Sequence, residues 1–162
     1  MAGLRFQSVA CEEDLDRLDE ALGALSADLG DSHATQRDDL RRALFGPCPA
    51  AHGLLALREA ETAGAALFSP VYSTVRGAAG VFVSDLWVSP LMRGQGVGRR
   101  LLAEVAAAGA KLWAADWLKL AVYDHSTASQ EFYRRLGFQP ALGMRDMRLD
   151  AARLAALTGR QG

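Results

Sequence analysis

The fold is decided by the stretch Leu86-Trp87-Val88-Ser89-Pro90-Leu91-Met92-Arg93-Gly94-Gln95-Gly96-Val97-Gly98-Arg99. An apolar strand ends at Pro90, which cannot donate a hydrogen bond to a neighbouring strand. Three alternating glycines then open a helix. Glycine lets the main chain approach a ligand closely, and the first turn of a helix offers unpaired N–H groups at the positive end of its dipole. The stretch therefore predicts a cradle for a pyrophosphate.

The spacing of the glycines narrows the class of ligand. It is G-x-G-x-G, which differs from the G-x-G-x-x-G of dinucleotide-binding folds and lacks the Lys-Ser/Thr of a phosphate loop. A nucleotide-dependent oxidoreductase is therefore disfavoured. Arg93, Arg99 and Arg100 surround the turn with positive charge, which favours an anion. Taken alone, the glycines would also fit a plain tight turn.

Outward from this turn, apolar spacing predicts alternating strands and helices. The strands are predicted at Leu4–Val9, Leu54–Leu57, Ala63–Tyr72, Ala79–Val88, Trp117–Tyr123 and Ala141–Leu149. The helices are predicted at Glu12–Leu29, from a cap at Thr35 through Leu44, at Gln95–Ala110, from a cap at Ser126 or Thr127 through Leu136, and as a terminal turn at Ala151–Leu157. This order predicts an α/β protein with a mixed sheet, built as a single domain over residues 1–162.

Composition excludes several classes of protein. Half of the 162 residues are apolar, which is enough to bury a core, and the net charge of −1 gives no support for a nucleic-acid binder. No apolar run is long enough to cross a bilayer. The charges are divided along the chain: residues 1–39 carry a net charge of −7 and residues 40–162 a net charge of +6. This division suits a protein with one cationic and one anionic ligand.

Cysteine and histidine give no sign of a metal site or a disulfide framework. Cys11 and Cys48 lack the spacing of a zinc site, and the three histidines are scattered. The N-terminal residues lack the apolar segment of a signal peptide. We therefore expect no metal and a cytoplasmic location.

Two motifs resemble the hallmarks of one superfamily. Arg93-Gly94-Gln95-Gly96-Val97-Gly98 is similar to the acetyl-CoA signature of the GNAT N-acetyltransferases, and Phe132-Tyr133-Arg134-Arg135-Leu136-Gly137-Phe138 is similar to their second hallmark. A narrower resemblance, over residues ~35–138, is to the diamine (spermidine/spermine) and thialysine acetyltransferase branch. It includes Phe45-Gly46-Pro47 and Ser84-Asp85-Leu86-Trp87-Val88. The resemblance implies the GNAT fold, a splayed mixed sheet flanked by helices.

The resemblance also implies how acetyl-CoA binds. The pantetheine pairs with the strand of the glycine turn as an added strand would, through main-chain groups of Leu86 and Val88, while the amide of Val88 polarises the thioester carbonyl. Main-chain N–H groups of the turn bind the pyrophosphate. The expected cofactor-binding residues are Leu86, Trp87, Val88, Arg93, Gly94, Gln95, Gly96, Val97, Gly98, Arg99 and Ser126.

Tyr133 and Asp85 are the expected catalytic residues. On the resemblance, the phenol of Tyr133 protonates the departing thiolate; its alternative role is that of a core aromatic beside Phe132. Asp85 is the carboxylate expected to bind the acceptor ammonium or to relay its proton, and its alternative role is that of a structural acceptor. The branch has a Glu where this chain has Ser84, which leaves the general base and a polyamine substrate open.

Two further residues near the expected site have competing roles. Many relatives have an Asn at the position of Ser126, where it contacts the pantetheine. We expect Ser126 mainly to cap the helix, with contact to the cofactor as its secondary role. His125 is a reserve candidate for the base, although a surface role fits it better.

We expect an acetyl-CoA-dependent N-acetyltransferase acting by direct ternary-complex transfer on a primary amine of a small cationic acceptor, such as a polyamine or a lysine analogue. Alternatives are a protein N-terminal or lysine acetyltransferase and a non-catalytic CoA-binding regulatory module. Dimerisation is common among similar proteins, so we expect a homodimer. No nucleic-acid or membrane partner is expected.

Overall fold

Five strands and five α-helices occur in the computed structural model, which describes residues 3–159. In chain order they are β1 Leu4–Ser8, α1 Glu12–Leu29, α2 Arg37–Phe45, β2 His52–Arg58, β3 Glu61–Ser73, β4 Ala78–Val88, α3 Val97–Trp113, β5 Leu118–Leu120, α4 Thr127–Arg135 and α5 Ala151–Leu157. A short 3₁₀ helix, Pro90–Met92, lies between β4 and α3. Contacts divide the chain into two compact units, which meet in sequence between Tyr123 and Asp124.

The first unit is built on a five-stranded sheet in the order β1-β2-β3-β4-β5. The first four strands are antiparallel to their neighbours, and β5 runs parallel to β4. Antiparallel strands can follow short turns, whereas a parallel neighbour needs a crossover, here made by α3. The predicted mixed α/β sheet is confirmed.

Helices cover the two faces of this sheet. Leu15, Leu18 and Leu22 of α1 form one core with α2 and the sheet. Leu101 of α3 is fully buried on the opposite face. The sheet accepts a helix closely on each side because it has glycine there; a Cβ added to Gly64 would lie 2.8 Å from Cδ1 of Leu101.

Helix α1 has the predicted bounds, with acidic residues in its first turn and a left-handed Gly30 after its last. The start of α2 differs from the prediction. Thr35 does not cap it: α2 begins at Arg37, after Gln36, whose side chain makes no capping hydrogen bond. Ion pairs from Arg37 to Glu12 and Asp16 of α1 hold this end of α2 instead.

The last two predicted strands agree least with the structure. β5 covers only three residues of the predicted run Trp117–Tyr123, and Tyr123 is exposed rather than covered on both faces. In the second unit, the prediction of a strand at Ala141–Leu149 is wrong. This stretch pairs with no described strand, and its apolar side chains, including Met144 and Met147, are exposed. An alternating pattern makes a strand only where an edge is available for pairing.

The terminal helical turn, in contrast, is confirmed as α5. The side chain of Asp150 caps it, accepting a hydrogen bond of 2.9 Å from the amide of Arg153.

Candidate functional site: an open strand edge beside a glycine turn

A β-bulge lies at the point where one edge of β4 becomes open. Leu67 of β3 pairs with Asp85 and Phe68 pairs with Val83, which leaves Ser84 as an extra residue. Bulges bend the strand that carries them. On the other side of β4, pairing with β5 stops at Val83, directly before the bulge. From Ser84 to Val88, no described strand pairs with β4 on that side.

The main-chain groups on this open edge are those of Leu86 and Val88. Ser89 donates its amide to the carbonyl of Ala63 on β3, at 3.0 Å. Because alternate residues of a strand face opposite neighbours, Trp87 also faces β3, while Leu86 and Val88 turn their N–H and C=O groups to the open side. These are the two residues expected to pair with pantetheine.

The glycine turn follows at once. Gly94 and Gly96 have φ of +75° and +78°, a conformation that side chains disfavour, and a Cβ added at either would meet nothing within 4 Å. Space therefore remains open beside the N-terminus of α3, where Gly96 is the capping residue. The N–H groups of Val97, Gly98 and Arg99 lie in this first turn, where a helix lacks internal acceptors. The turn fits an anionic group such as a pyrophosphate.

Side chains brace the turn from within. The amide of Gln95 donates to the carbonyl of Leu91 at 2.9 Å. Arg93 donates from Nε to the carbonyl of Val88 at 3.0 Å and from Nη2 to the carboxylate of Asp28 at 2.5 Å. Two polar side chains of the motif thus hold the protein's own main chain, and the main-chain amides remain the groups best placed for an anion.

Trp87 has its side chain on the other face of the sheet. Its indole packs against the core formed with α1 and α2 and lines a cavity of about 330 Å³ whose other walls include Arg17, Glu20 and Glu61. Its buried Nε1 has no hydrogen-bond partner among the described residues. Of the three consecutive strand residues expected to bind cofactor, Trp87 is the one whose main chain faces away from the open edge.

Asp85 lies on β4 one residue after the bulge and is partly buried. Burial raises the pKa of its carboxyl, while the neighbouring Ser84 side chain and the charge of His33 each lower that pKa. Ser84, which stands where the branch has a Glu, donates its hydroxyl to the carbonyl of Leu67 at 3.2 Å. The residue therefore supports the bulge.

Sequence reasoning missed His33. Its ring lies 3.3 Å from the carboxylate of Asp19 and 3.3 Å from the hydroxyl of Ser26, both on α1. Its charge also acts on Asp85. No sequence signal marked it, because it lies in the loop after α1, far along the chain from β4.

The remaining histidines contribute no metal site. His52 is half-buried and packs against the rings of Phe68 and Trp113, and burial lowers the pKa of its imidazole. His125 is exposed in the second unit. Between residues 3 and 159, no group of three or more His, Cys, Asp or Glu side chains is placed to hold a metal ion.

The second unit carries Ser126 and Tyr133. Ser126 occupies the N-cap position of α4, but its side chain makes no capping hydrogen bond, so the preferred cap interpretation is wrong in that respect. Tyr133 is partly buried between the rings of Phe132 and Phe138, at centroid distances of 5.1 and 5.6 Å. Burial raises the pKa of its phenol, which keeps it protonated at neutral pH.

A family comparison decides the assignment. The model of the Acetyltransferase (GNAT) family matches residues 18–138, about three quarters of the chain. The chain belongs to the GNAT family. The predicted family is confirmed, and so is the predicted type of enzyme at the level of the family. The match includes both motifs, the glycine turn and the segment around Tyr133.

A relative supports the narrower resemblance to the diamine and thialysine acetyltransferase branch. The chain is 30% identical over 118 residues to "Thialysine N-epsilon-acetyltransferase" of Bos taurus, a match that covers 71% of this chain. The chain spans only 61% of the length of that relative.

Solved structures support the GNAT fold. The "Ribosomal-protein-alanine N-acetyltransferase from Brucella melitensis biovar Abortus 2308" has a TM-score of 0.71 at 17% identity, covering 91% of this chain and 100% of its own. "Aminoglycoside N-Acetyltransferase AAC(6')-Iy in Complex with CoA" has a TM-score of 0.72 at 18% identity, covering 90% and 94%. No described helix of the chain is long and apolar enough to span a membrane.

Proposed function

We propose that the protein transfers an acetyl group from acetyl-CoA to a primary amine of a small cationic acceptor, in a ternary complex. The observation that carries the proposal is the open edge of β4 leading directly into the glycine turn. An edge with free N–H and C=O groups suits the amides of pantetheine, and a helix N-terminus beside glycines suits a pyrophosphate. The two lie in the order that the parts of CoA require.

The reaction begins with attack of the neutral amine on the thioester carbonyl. The carbonyl oxygen gains negative charge, and the N–H of Val88, on the open edge, is the donor proposed to stabilise it. The C–N bond forms, the tetrahedral carbon collapses, and the C–S bond breaks with release of the thiolate. The amine's proton must also leave. Asp85 is the carboxylate proposed to accept it, directly or through water.

Tyr133 is the acid proposed to protonate the thiolate. A thiol of pKa near 8.5 and a phenol of pKa near 10 differ by about 2 kcal/mol, so this transfer is feasible. Burial raises the pKa of this phenol, so the phenol stays protonated at neutral pH while its gap from the thiol is larger than that of a free phenol. The role comes from the resemblance of the segment Phe132–Phe138 to the family's second hallmark.

A cationic acceptor fits the charges on the α1 side of the sheet. Asp85 and Asp19 lie near His33, and Asp31 accepts a hydrogen bond of 2.8 Å from the hydroxyl of Tyr123. The first 39 residues carry a net charge of −7. The names of two similar proteins refer to thialysine and to aminoglycosides, which both carry amines. We propose an acceptor of this kind, of which polyamines and lysine analogues are examples.

The proposal is tested in two stages. Calorimetry should show binding of acetyl-CoA and none of NAD. Thiol release from acetyl-CoA is then followed across polyamines, lysine analogues, aminoglycosides and peptides with a free N-terminus or lysine. Turnover with small cations supports the proposal. Turnover with peptides alone would replace the acceptor class, and binding without any turnover would favour a non-catalytic CoA-binding module.

Three parts of the proposal concern the protein as a whole. We propose that residues 1–162 act as a single domain, that the protein is a homodimer and that it works in the cytoplasm. Gel filtration with light scattering tests the second of these.

A further inference from the structure

We propose that Asp28 is a positioning residue for acetyl-CoA, which holds the guanidinium of Arg93 on the carbonyl of Val88. Asp28 belongs to neither of the motifs and lies on α1, 65 residues before Arg93. The inference rests on the proposed function, because it concerns the edge of β4 where the thioester is proposed to bind.

The contacts form a bridge of three residues. Arg93 directs Nη2 to the carboxylate of Asp28 at 2.5 Å and Nε to the carbonyl of Val88 at 3.0 Å. A guanidinium is planar, so fixing one of its nitrogens on a carboxylate fixes the direction of the others. Asp28 thereby aims Nε at Val88.

The position of Asp28 on α1 indicates that its contact with Arg93 does more than stabilise the helix. Asp28 lies in the last turn of α1, before the left-handed Gly30, and no basic residue accompanies it there. Negative charge at the C-terminal end of a helix is unfavourable, because the dipole is negative at that end. The side chains of Asp28 and Arg93 are 39% and 53% exposed, and ion pairs that open to water add little to stability. Stability alone therefore gives a weak reason for the pair.

The bridge acts on the group proposed to bind the thioester. The N–H and C=O of one strand residue point to the same side, so the carbonyl held by Arg93 shares the open edge with the N–H of Val88. Holding that carbonyl fixes the end of β4 at the place where the chain leaves for the glycine turn. It also occupies one acceptor on the edge, which leaves the main-chain groups of Leu86 and the N–H of Val88 for the ligand.

Calorimetry with acetyl-CoA tests the role of Asp28. Asp28→Asn should raise Kd for acetyl-CoA about five- to tenfold, because the neutral amide no longer orients the guanidinium. Arg93→Lys should do the same, since lysine keeps the charge but cannot reach both partners in one plane. Asp28→Glu should restore Kd to within about twofold of the wild type. KM for acetyl-CoA should follow Kd, while KM for the amine stays unchanged.

Asp16→Asn is the matched control. Asp16 is also an exposed aspartate on α1, and it accepts a hydrogen bond of 2.6 Å from Arg37, away from the glycine turn. Its removal should leave Kd for acetyl-CoA unchanged, and thermal unfolding checks that all variants are folded. Wild-type affinity in Asp28→Asn, or equal losses in Asp28→Asn and Asp16→Asn, would overturn the inference alone. A wild-type protein that does not bind acetyl-CoA would overturn the proposed function with it.

Discussion

The imidazole Nε2 of His33 lies 3.3 Å from a carboxylate oxygen of Asp19. On the other side of the ring, Nδ1 lies 3.3 Å from the hydroxyl of Ser26, which donates its own proton to the carbonyl of Leu22. The two contacts hold the ring of His33 between Ser26 and Asp19 of α1. From this position the charge of His33 lowers the pKa of Asp85, against the larger effect of burial.

Replacing His33 should shift the pH dependence of catalysis. The charge of His33 lowers the pKa of Asp85, against the larger effect of burial. His33→Gln should raise that pKa, so a higher pH is needed to ionise Asp85, and the acidic limb of kcat/KM for the amine moves to higher pH. Asp19→Asn, which loosens the ring, should move it in the same direction. An acidic limb that stays in place in both variants would show that His33 does not act on the titrating group.

Asp85→Asn should stabilise the fold at neutral pH. The pKa of Asp85 is raised by burial, so the folded protein binds the proton more tightly than the unfolded chain does. The contribution of Asp85 to the free energy of unfolding is therefore greatest below the pKa of the unfolded state. It falls as pH rises through the pKa of the folded state. Melting temperatures should favour Asp85→Asn at pH 7, with the difference narrowing towards pH 3. If Asp85→Asn is less stable than the wild type at pH 7, burial does not destabilise the ionised carboxylate of Asp85.

Gly96→Val should weaken acetyl-CoA binding by about tenfold or more, because it places a side chain in the open space beside the first turn of α3. Gly77→Val is the matched control. Gly77, in the turn between β3 and β4, has a similar φ of +65° and equally open surroundings. Both variants should lose about 1–2 kcal/mol of stability, since a left-handed conformation is strained for valine. If calorimetry gives equal acetyl-CoA affinities for Gly96→Val and Gly77→Val, the glycine turn does not bind the cofactor.

Tyr133→Phe should lower kcat by about a hundredfold or more, the usual contribution of a general acid, while changing Kd for acetyl-CoA less than about twofold. The ring remains, so its packing against Phe132 and Phe138 is preserved. Tyr72→Phe, at an exposed tyrosine of β3, serves as the control and should keep full activity. Steady-state kinetics measure both. Full turnover in Tyr133→Phe would remove the phenol from the mechanism.

Sequence patterns predicted the glycine turn well because its properties are local. Positive φ at Gly94 and Gly96, the stop at Pro90 and the helix start depend on neighbouring residues. The bulge at Ser84 depends on the register between β3 and β4, which no short pattern encodes. The bridge from Arg93 to Asp28 joins residues 65 apart in sequence. Contacts of that kind follow from tertiary packing, so the second half of the site could not be predicted from local sequence.

The packing of α3 on the sheet gives a stability test. A Cβ added to Gly109 would overlap Cγ2 of Val81 on β4. Gly109→Ala should therefore cost about 1–3 kcal/mol despite alanine's better helix propensity. Gly23→Ala, on α1, is the control, because its Cβ would make only an ordinary contact of 3.9 Å and should stabilise the helix by roughly 0.5–1 kcal/mol. Urea denaturation measures both. Stabilisation by Gly109→Ala would show that α3 can move outward freely.

The bulge at Ser84 has a consequence for how molecules of this protein behave towards one another. A row of unpaired N–H and C=O groups is a template on which strands of other chains can assemble. Pro90, which has no N–H, closes one end of that row, and the guanidinium over the carbonyl of Val88 blocks an acceptor beside it. Pro90 and Arg93 thus limit pairing of the open edge with strands of other molecules. Such self-association is the risk for a protein that leaves a strand edge unpaired for a ligand.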